Sequence, residues 1–265
     1  MRRISLIFLI PVFLLVSGCS ALDLAGIADR IKVSVSRDFT GISVLGCIDV
    51  IFTDDCETAQ IEADVNLLPY VEVYEVGKLL KIEFSEGLKV TDGNFRATVL
   101  IPFKSGVSNI SVSGTASFVS DFPISGKDIA ITASGSSEII CPLHADRSAT
   151  VNLNGASSAE CGSLSAALLN LSLSGASVLE AAGRVSSCQL FLVGASELRG
   201  LSESQNHSVE IGSCYGDLTG ASKAFFRSDG LISCNLYGDS YISYIGKADI
   251  SGSKCYDDSE IEEED

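Results

Sequence analysis

The sequence predicts an all-β protein, built as a parallel β-helix-like solenoid with turns of about 20 residues. Three observations predict this fold: a short Gly-centred unit recurs along the chain, apolar residues stand at fixed offsets from its glycines, and the composition is typical of short strands. Trp is absent and Met and His are rare, whereas Leu, Ile, Val, Ser, Ala and Gly are abundant. This composition suits many short strands better than a helical bundle.

The bulk composition indicates a folded, acidic protein. The chain has 265 residues, 46% of them hydrophobic and 20% charged, so it can bury a sizeable core. Its formal charge at pH 7 is −16. An acidic surface repels phosphate groups, so we expect no nucleic acid partner. Solubility is the simplest role for this charge.

The N-terminus has the layout of an export signal. A basic start is followed by an apolar stretch, Ile4 to Val16, that is too short to span a bilayer comfortably. The junction Ser17-Gly18-Cys19 resembles the bacterial lipobox, which implies cleavage before Cys19 and acylation of its thiol. Two acyl chains suffice for stable membrane attachment. Residues 1–18 are predicted as a lipoprotein signal peptide and 19–30 as a linker; an ordinary signal peptide or a short membrane anchor are the alternatives.

A Gly-centred unit occurs eight times between residues 113 and 253. Successive glycines are separated by 21, 20, 20, 19, 26, 18 and 14 residues. The 26-residue step accommodates a loop near residues 202–207, and the last step suggests a truncated final turn. The glycines are Gly114, Gly135, Gly155, Gly175, Gly194, Gly220, Gly238 and Gly252.

Apolar residues flank these glycines at offsets of −4, −2 and +4. With the +4 offset counted in the first seven units, these are 23 positions, and Gly216 is the one exception. A spacing of two is strand periodicity and places these side chains on one face. Turns stacked about 4.8 Å apart would bring equivalent residues into buried columns. The predicted columns end at Ala248 and Ile250, which precede Gly252.

Serines recur two positions after six of these glycines. One such serine alone would be a candidate nucleophile, but six equivalent ones predict a structural ladder of hydroxyl groups. The glycines are expected to permit a bend, or a close approach of neighbouring backbones. The serines are Ser137, Ser157, Ser177, Ser196, Ser222 and Ser240.

The rest of the chain divides into three parts. Residues 31–105 read as strands without the Gly unit, and form either initial coils of the solenoid or a β layer that caps its end. Together with the repeats in 106–256 they are predicted to form one domain, 31–256. The tail, 257–265, has seven acidic residues in nine and is predicted to be disordered.

Short motifs in the first part complete the pattern. They are Arg37-Asp38-Phe39-Thr40-Gly41-Ile42, Ile48-Asp49-Val50, Asn66-Leu67-Leu68-Pro69-Tyr70-Val71 and Leu79-Leu80-Lys81-Ile82. With the Ser-Gly-Ala-Ser units, they resemble the family of putative auto-transporter adhesin, head GIN domain proteins. The resemblance implies a parallel β-helix-like fold on an exported, often lipid-anchored protein of a diderm bacterium, and it brings no catalytic residues. The chain departs from the family pattern in its many cysteines and at Val193-Gly194 and Tyr237-Gly238.

Eight cysteines remain beside Cys19, and export permits disulfides between them. Cys141 and Cys161 both lie six residues after their glycines. Cys188 and Cys214 both lie six residues before theirs. Each of these two pairs should therefore stack on adjacent turns, within the range of Cα distances that a disulfide accepts.

A third possible disulfide joins Cys47 and Cys56, which are nine residues apart across an expected hairpin. The alternative for all these cysteines is a role as small free hydrophobic residues, which we expect for Cys234. The sequence has no CxxC motif and no Cys-His cluster, so we predict no metal site and no cofactor.

An enzyme is the principal alternative, because β-helix architectures also host polysaccharide lyases and hydrolases. His144, read as a loop residue, and His207, in a polar insertion, belong to no nucleophile or metal motif. Asp217 and Asp239 have no feature that separates them from solvated charges. We therefore predict a protein without catalytic residues.

The predicted function is that of a cell-envelope lipoprotein acting as a non-catalytic adhesion or scaffold module. Its partners would be a membrane, most simply the outer membrane, and a protein or glycan ligand on the cell surface. A carbohydrate-active β-helix enzyme is one alternative, and a periplasmic sensor or assembly partner is another. The sequence does not choose between the periplasmic and the outer face.

Overall fold

β-Strands account for nearly all of the regular structure. The computed structural model describes residues 21–36, 38–91, 93, 95–200 and 208–264, and the one helix in these ranges is the 3₁₀ helix Leu68–Tyr70. The predicted all-β class is confirmed. The signal peptide with Cys19, and His207, lie outside the described residues. In the described part of the chain, no helix combines the length and apolar character needed to cross a bilayer.

The strands fall into two groups along the chain. Those before the repeats are β1 (Ala28–Val33), β2 (Gly41–Gly46), β3 (Ile48–Thr53), β4 (Ala59–Asp64), β5 (Val71–Val76), β6 (Leu79–Phe84) and β7 (Ala97–Pro102). Those of the repeats are β8 (Asn109–Gly114), β9 (Ser117–Ser120), β10 (Ile124–Gly135), β11 (Glu138–Ile140), β12 (Leu143–Gly155), β13 (Ser158–Gly175), β14 (Val178–Gly194), β15 (Glu197–Arg199), β16 (Val209–Gly220), β17 (Lys223–Arg227), β18 (Leu231–Gly238), β19 (Tyr241–Ile245), β20 (Lys254–Cys255) and β21 (Glu260–Glu264).

The repeat strands pair in parallel, with their glycines aligned. Gly114 lies opposite Gly135, Gly135 opposite Gly155, and the same register continues to Gly238. The apolar residues at the three offsets are exposed by 0–2% from Ile110 to Ile242. Burying one Leu or Ile side chain contributes about 1.5–3 kcal/mol. These columns therefore supply much of the stabilisation of the stack.

The first part of the chain contains both predicted arrangements: strands that begin the stack, and a β layer at its end. Strand β2 pairs in parallel with β8 and aligns Gly46 with Gly114, and β3 pairs in parallel with β9, so both belong to the stack. Around them, β1 pairs antiparallel with β4, β4 with β7, and β5 with β6. These antiparallel strands cover one end of the stacked parallel strands.

The predicted linker, 19–30, is wrong from Leu22 onwards. The backbone N–H of Leu22 donates to the carbonyl of Lys89 at 2.7 Å, and its carbonyl accepts from Thr91 at 2.9 Å. The side chain of Leu22 packs on the core, and β1 begins at Ala28. The apolar side chain of Leu22 is held by its contact with the core, although the residues around it predicted a linker.

The predicted last repeat, centred on Gly252, is also wrong. Leu236 pairs with Cys255, so the position two residues further on, opposite Gly238, belongs to Asp257. Asp257 has a φ of 59°, in the left-handed region that glycine usually occupies. Its Oδ2 accepts a hydrogen bond from the N–H of Gly238 at 3.2 Å. Ile250, predicted to be in a buried column, is 39% exposed.

The tail from 257 to 264 is ordered, contrary to the prediction. Strand β21 pairs in parallel with β19, and its Ile261 lies opposite Ile242 and packs against the core. The hydroxyl of Tyr241 donates to Glu262 at 2.6 Å. This hydrogen bond, with burial and the charge of Glu262, raises the pKa of Tyr241 to about 12. The acidic residues instead protect an exposed strand edge from pairing with another chain.

The aligned glycines are required by backbone angle and by space. Gly175 has a φ of 83°, and a Cβ built on it would lie 2.6 Å from the carbonyl oxygen of Gly155. That oxygen accepts a hydrogen bond from the N–H of Ala176 at 2.7 Å. A side chain at this position would therefore strain the backbone and separate two neighbouring strands.

The substitution Gly175→Ala tests this requirement. We expect it to lower the free energy of unfolding by roughly 1–3 kcal/mol, because alanine must adopt a left-handed φ against a neighbouring carbonyl. Gly162→Ala is the control, since no atom lies within 4 Å of its added Cβ. Urea denaturation measures both. An equal effect of the two substitutions would contradict the close approach at Gly175.

Candidate binding surface

The candidate site is the outward side of four neighbouring strands, β8, β10, β12 and β13. Side chains alternate along a strand, so residues at offsets −5, −3 and −1 from the glycine point away from the buried columns. Eleven of these twelve residues are Ser, Thr or Asn, and none is charged. We call this surface the neutral face: Asn109, Ser111, Ser113, Ala130, Thr132, Ser134, Thr150, Asn152, Asn154, Asn170, Ser172 and Ser174.

The neutral face is a regular grid. Thr132 lies opposite Asn152, which in turn lies opposite Ser172. Neighbours across strands are about 4.8 Å apart, and alternate residues along one strand are about 6.6 Å apart. Within the described residues, side chains of this face make two hydrogen bonds: Ser174 Oγ to Asn154 Oδ1 at 2.7 Å, and Ser113 Oγ to the Val44 carbonyl at 3.5 Å. Most of its donors and acceptors thus face solvent.

The same side becomes aromatic and apolar towards the C-terminus. Ser172 lies opposite Phe191 and Ser174 opposite Val193, so the grid continues directly into this region. The rings of Tyr237 and Tyr256 stack with centroids 4.8 Å apart and an interplanar angle of 2°. We call this region the aromatic end, and its members are 40–52% exposed: Phe191, Val193, Tyr215, Tyr237 and Tyr256. Clustered exposed apolar side chains mark interaction surfaces.

Two groups of ion pairs in the repeats lie on other sides of the stack, whereas the aromatic end shares its side with Asp217, opposite Phe191, and Lys254, opposite Asn235. On the side after the glycines, Arg199 forms ion pairs with Glu180 at 3.0 Å and with Glu197 at 2.9 Å. On a third side, Arg184 pairs with Glu210 at 3.1 Å. The net charge of −16 is therefore carried away from the neutral face.

The predicted serine ladder lies inside the structure. Ser177 is buried, and its hydroxyl donates to the carbonyl of Leu153 in the preceding unit at 3.2 Å. All six serines make the equivalent bond, and Ser259 adds a seventh at 3.1 Å. Every buried side-chain nitrogen or oxygen in the described ranges has a partner. These hydroxyls satisfy carbonyls beside the bend and are closed to substrate.

Two pairs of buried cysteines lie on neighbouring strands, as predicted. Cys188 lies directly opposite Cys214, whose Sγ is 3.9 Å from the Sγ of Cys234. Cys141 and Cys161 follow residues that pair in register, Ile140 and Glu160. All eight cysteines are free thiols in the structure, so the two disulfides stay predictions.

The third disulfide, between Cys47 and Cys56, is incompatible with the structure. Strand β3 lies between them as one extended segment, so Thr53 is about 20 Å from Cys47. The three residues from Thr53 to Cys56 span at most about 10 Å. The two Cα atoms cannot reach the separation below about 7 Å that a disulfide requires. The expected hairpin is wrong because the strand continues through it.

The residues weighed for catalysis lie apart from one another. His144 is in strand β12, where a loop was expected, and its Nε2 is 3.0 Å from Ser163 Oγ at the surface. Asp217 accepts a hydrogen bond from Asn235 at 2.9 Å, and Asp239 is exposed in a turn. Across the described part of the chain, no three His, Cys, Asp or Glu side chains are placed to hold a metal ion.

Reasoning from the sequence missed the neutral face and the aromatic end. Their signal is present at offsets −5, −3 and −1, where four consecutive repeats carry no charge in a chain with 34 acidic and 18 basic residues. The apolar offsets −4, −2 and +4 do not reveal this signal.

Parallel repeats aligned in register, with an uncharged region on one side, define a repeat protein with an extended, partly exposed surface. The chain belongs to the family of putative auto-transporter adhesin, head GIN domain proteins, which it matches over residues 38–248. The resemblance seen in the sequence is thereby confirmed. No curated protein matches the sequence.

The similar solved structures include the following three. A putative adhesin from Parabacteroides merdae is 19% identical, with a TM-score of 0.77 over 92% of this chain and 99% of that one. A putative lipid binding protein from Parabacteroides distasonis is 17% identical, with a TM-score of 0.68 over 93% and 100%. A putative adhesin from Bacteroides fragilis is 15% identical, with a TM-score of 0.64 over 92% and 100%. At these identities, the likeness shows a shared fold.

Thiol alkylation tests the buried cysteines. Burial raises the pKa of Cys141 to about 12, and burial with the nearby Cys141 and Glu160 raises the pKa of Cys161. Since the thiolate is the reactive form, we expect iodoacetamide at pH about 8 to label these thiols at least about 100-fold more slowly than the exposed Cys255. Mass spectrometry of the native protein gives the rates.

The control is the same reaction after denaturation without reductant. Free thiols should then all react, whereas a predicted disulfide would leave its pair unlabelled until reductant is added. Labelling of native Cys141 as fast as Cys255 would contradict the buried column.

Proposed function

We propose that the protein is a non-catalytic adhesion module of the cell envelope. The observation that carries this proposal is the neutral face with its aromatic end, a continuous, partly exposed surface whose outward offsets −5, −3 and −1 carry no charge over four strands. Structural residues occupy the inward offsets, so the outward offsets are free to serve binding. Membership of a putative adhesin family supports the same role.

A β-solenoid is the architecture that we propose for the repeats. The parallel register of Gly46, Gly114 and the following glycines supports it, because each unit of about 20 residues pairs with the next. From Gly46 to Asp257 there are nine aligned positions, which corresponds to a height of roughly 38 Å. Such stacks present extended surfaces that suit elongated ligands.

Lipid anchoring through Cys19 remains part of the proposal. Leu22 forms a β-bridge with Val90, in the part of the chain before the repeats. Three residues span at most about 10 Å, so an acylated Cys19 would lie within that distance of Leu22. The N-terminal end would then face the membrane, and the aromatic end would lie farthest from it. An envelope location follows from this arrangement and accords with the family.

A carbohydrate-active enzyme is the less favoured alternative. The surface pair of His144 and Ser163 has no carboxylate among its described hydrogen-bond partners. The buried serines cannot reach a substrate. A periplasmic sensor or assembly partner would use the same exposed surface with a protein ligand in place of a cell-surface one.

Complementation of a deletion strain tests the proposal. We expect deletion of the gene to lower attachment of the cells to their substratum, and the wild-type gene to restore it. Cys19→Ala should release the chain from the membrane fraction and fail to restore attachment, because its acyl anchor is lost. Cys255→Ala, at the other end of the chain, is the control and should restore it. Attachment that is unchanged by deletion would overturn the adhesion role.

A further inference from the structure

We infer that the neutral face binds an uncharged polysaccharide, laid along the stack axis and contacting the aromatic end. This inference rests on the proposed adhesion function and names the chemistry of its ligand. It is carried by three features of the described residues: the absence of charge, the regular grid of hydroxyl and amide groups, and the adjoining exposed rings.

The absence of charge selects against anionic ligands. Uronates, sulfates and phosphates are held by Arg or Lys, and the neutral face has neither. It also has no carboxylate that a neutral ligand would have to desolvate. The chain has a charge of −16, but these twelve adjacent positions are uncharged. A neutral ligand can therefore bind over them without desolvating a carboxylate.

Its hydrogen-bonding groups match those of a sugar. Ser, Thr and Asn side chains both donate and accept, as sugar hydroxyls do. A protein partner would instead require an apolar core to its interface, and the only apolar side chain of the neutral face is Ala130. The chemistry of the neutral face itself therefore favours a polyol over a protein.

The grid suits a polymer better than a single sugar. Thr132, Asn152 and Ser172 repeat the same outward position on successive strands about 4.8 Å apart. A polysaccharide offers a repeating set of hydroxyls to such a row, so that many weak contacts act together. The pattern runs without a charged interruption from β8 to β13.

The aromatic end supplies a contact of a different kind. Phe191 continues the row of Ser172, Tyr215 continues the row of Asn170 through Gln189, and their exposed rings can cover the apolar C–H faces of sugar rings. Gln189, opposite Tyr215, places an amide beside these rings, and Asp217, opposite Phe191, accepts a hydrogen bond from the amide of Asn235 at 2.9 Å. Apolar contact and hydrogen bonding thus adjoin along one side.

Retention on polysaccharides tests the inference. The full-length chain in detergent is mixed with cellulose, a β-1,3-glucan gel, cross-linked dextran or cross-linked polygalacturonate. We expect retention on at least one of the three neutral materials, unchanged by about 0.5 M NaCl because no ion pairs are involved. No comparable retention is expected on the anionic polygalacturonate.

The double variant Asn152→Asp/Asn170→Asp places two carboxylates in the grid with little change of shape. We expect its affinity for the retaining polysaccharide to fall at least about tenfold. Tyr215→Ala should weaken retention as well. Gln60→Glu is the matched control, since it makes the same amide-to-acid change on strand β4, beside Arg30, and should leave retention unchanged. Circular dichroism checks that all variants are folded.

The outcomes separate this inference from the proposed function. Retention on none of the neutral materials, retention on polygalacturonate alone, or equal affinity of the double variant and wild type would each overturn the neutral polysaccharide. If the deletion strain still loses attachment in any of these cases, adhesion stands and acts through another ligand or surface. If retention holds while deletion leaves attachment unchanged, the polysaccharide is bound for a purpose other than adhesion.

Discussion

The left-handed bend at the repeat glycine is the constraint on which the rest of the structure depends. From Gly114 to Gly238 the φ angles of the aligned glycines lie between 75° and 89°. At Gly155 and Gly175 an added Cβ would lie 2.6–2.8 Å from the carbonyl oxygen of the glycine in the unit before. The next N–H donates to that same oxygen, so the bend is also the point where neighbouring turns are joined. Only glycine meets both conditions easily, and Asp257 replaces it at the last position with the support of its own hydrogen bond to Gly238.

A fixed bend gives every offset from the glycine a fixed surrounding. Offsets of −4, −2 and +4 face the interior and take apolar residues, and the buried serine at +2 donates to the carbonyl at offset −2 of the preceding unit. The outward offsets −5, −3 and −1 are not required to be apolar or to bond to the neighbouring backbone. Their uncharged Ser, Thr and Asn residues over four strands, followed by exposed rings, are therefore the part of the sequence that binding is free to shape. Fold and function thus occupy alternate residues of the same strands.

Much of the fold could be predicted from the sequence because the constraint is periodic. The spacing of glycines and apolar residues predicted the pairing of units from Ile110 to Leu236, where every unit repeats the pattern. The prediction failed where the period is concealed. At the last bend the residue is Asp257 and not a glycine. The acidic residues around Ile261 predicted disorder, although they belong to strand β21, which pairs with β19. The candidate site was missed, since its signal is a shared absence of charge that shows only when the outward offsets are aligned.

Nitroxide labels on the outward bend positions test the stacking most directly. Thr115 and Ala221 both follow an aligned glycine, are exposed, and are five turns apart. With Cys47 and Cys255 replaced by serine and these two positions changed to labelled cysteines, pulsed electron paramagnetic resonance gives their separation. In-register stacking predicts a distribution centred near about 24 Å. A broad distribution, or one centred more than about two turns from this value, would show that the units do not stack one upon the next.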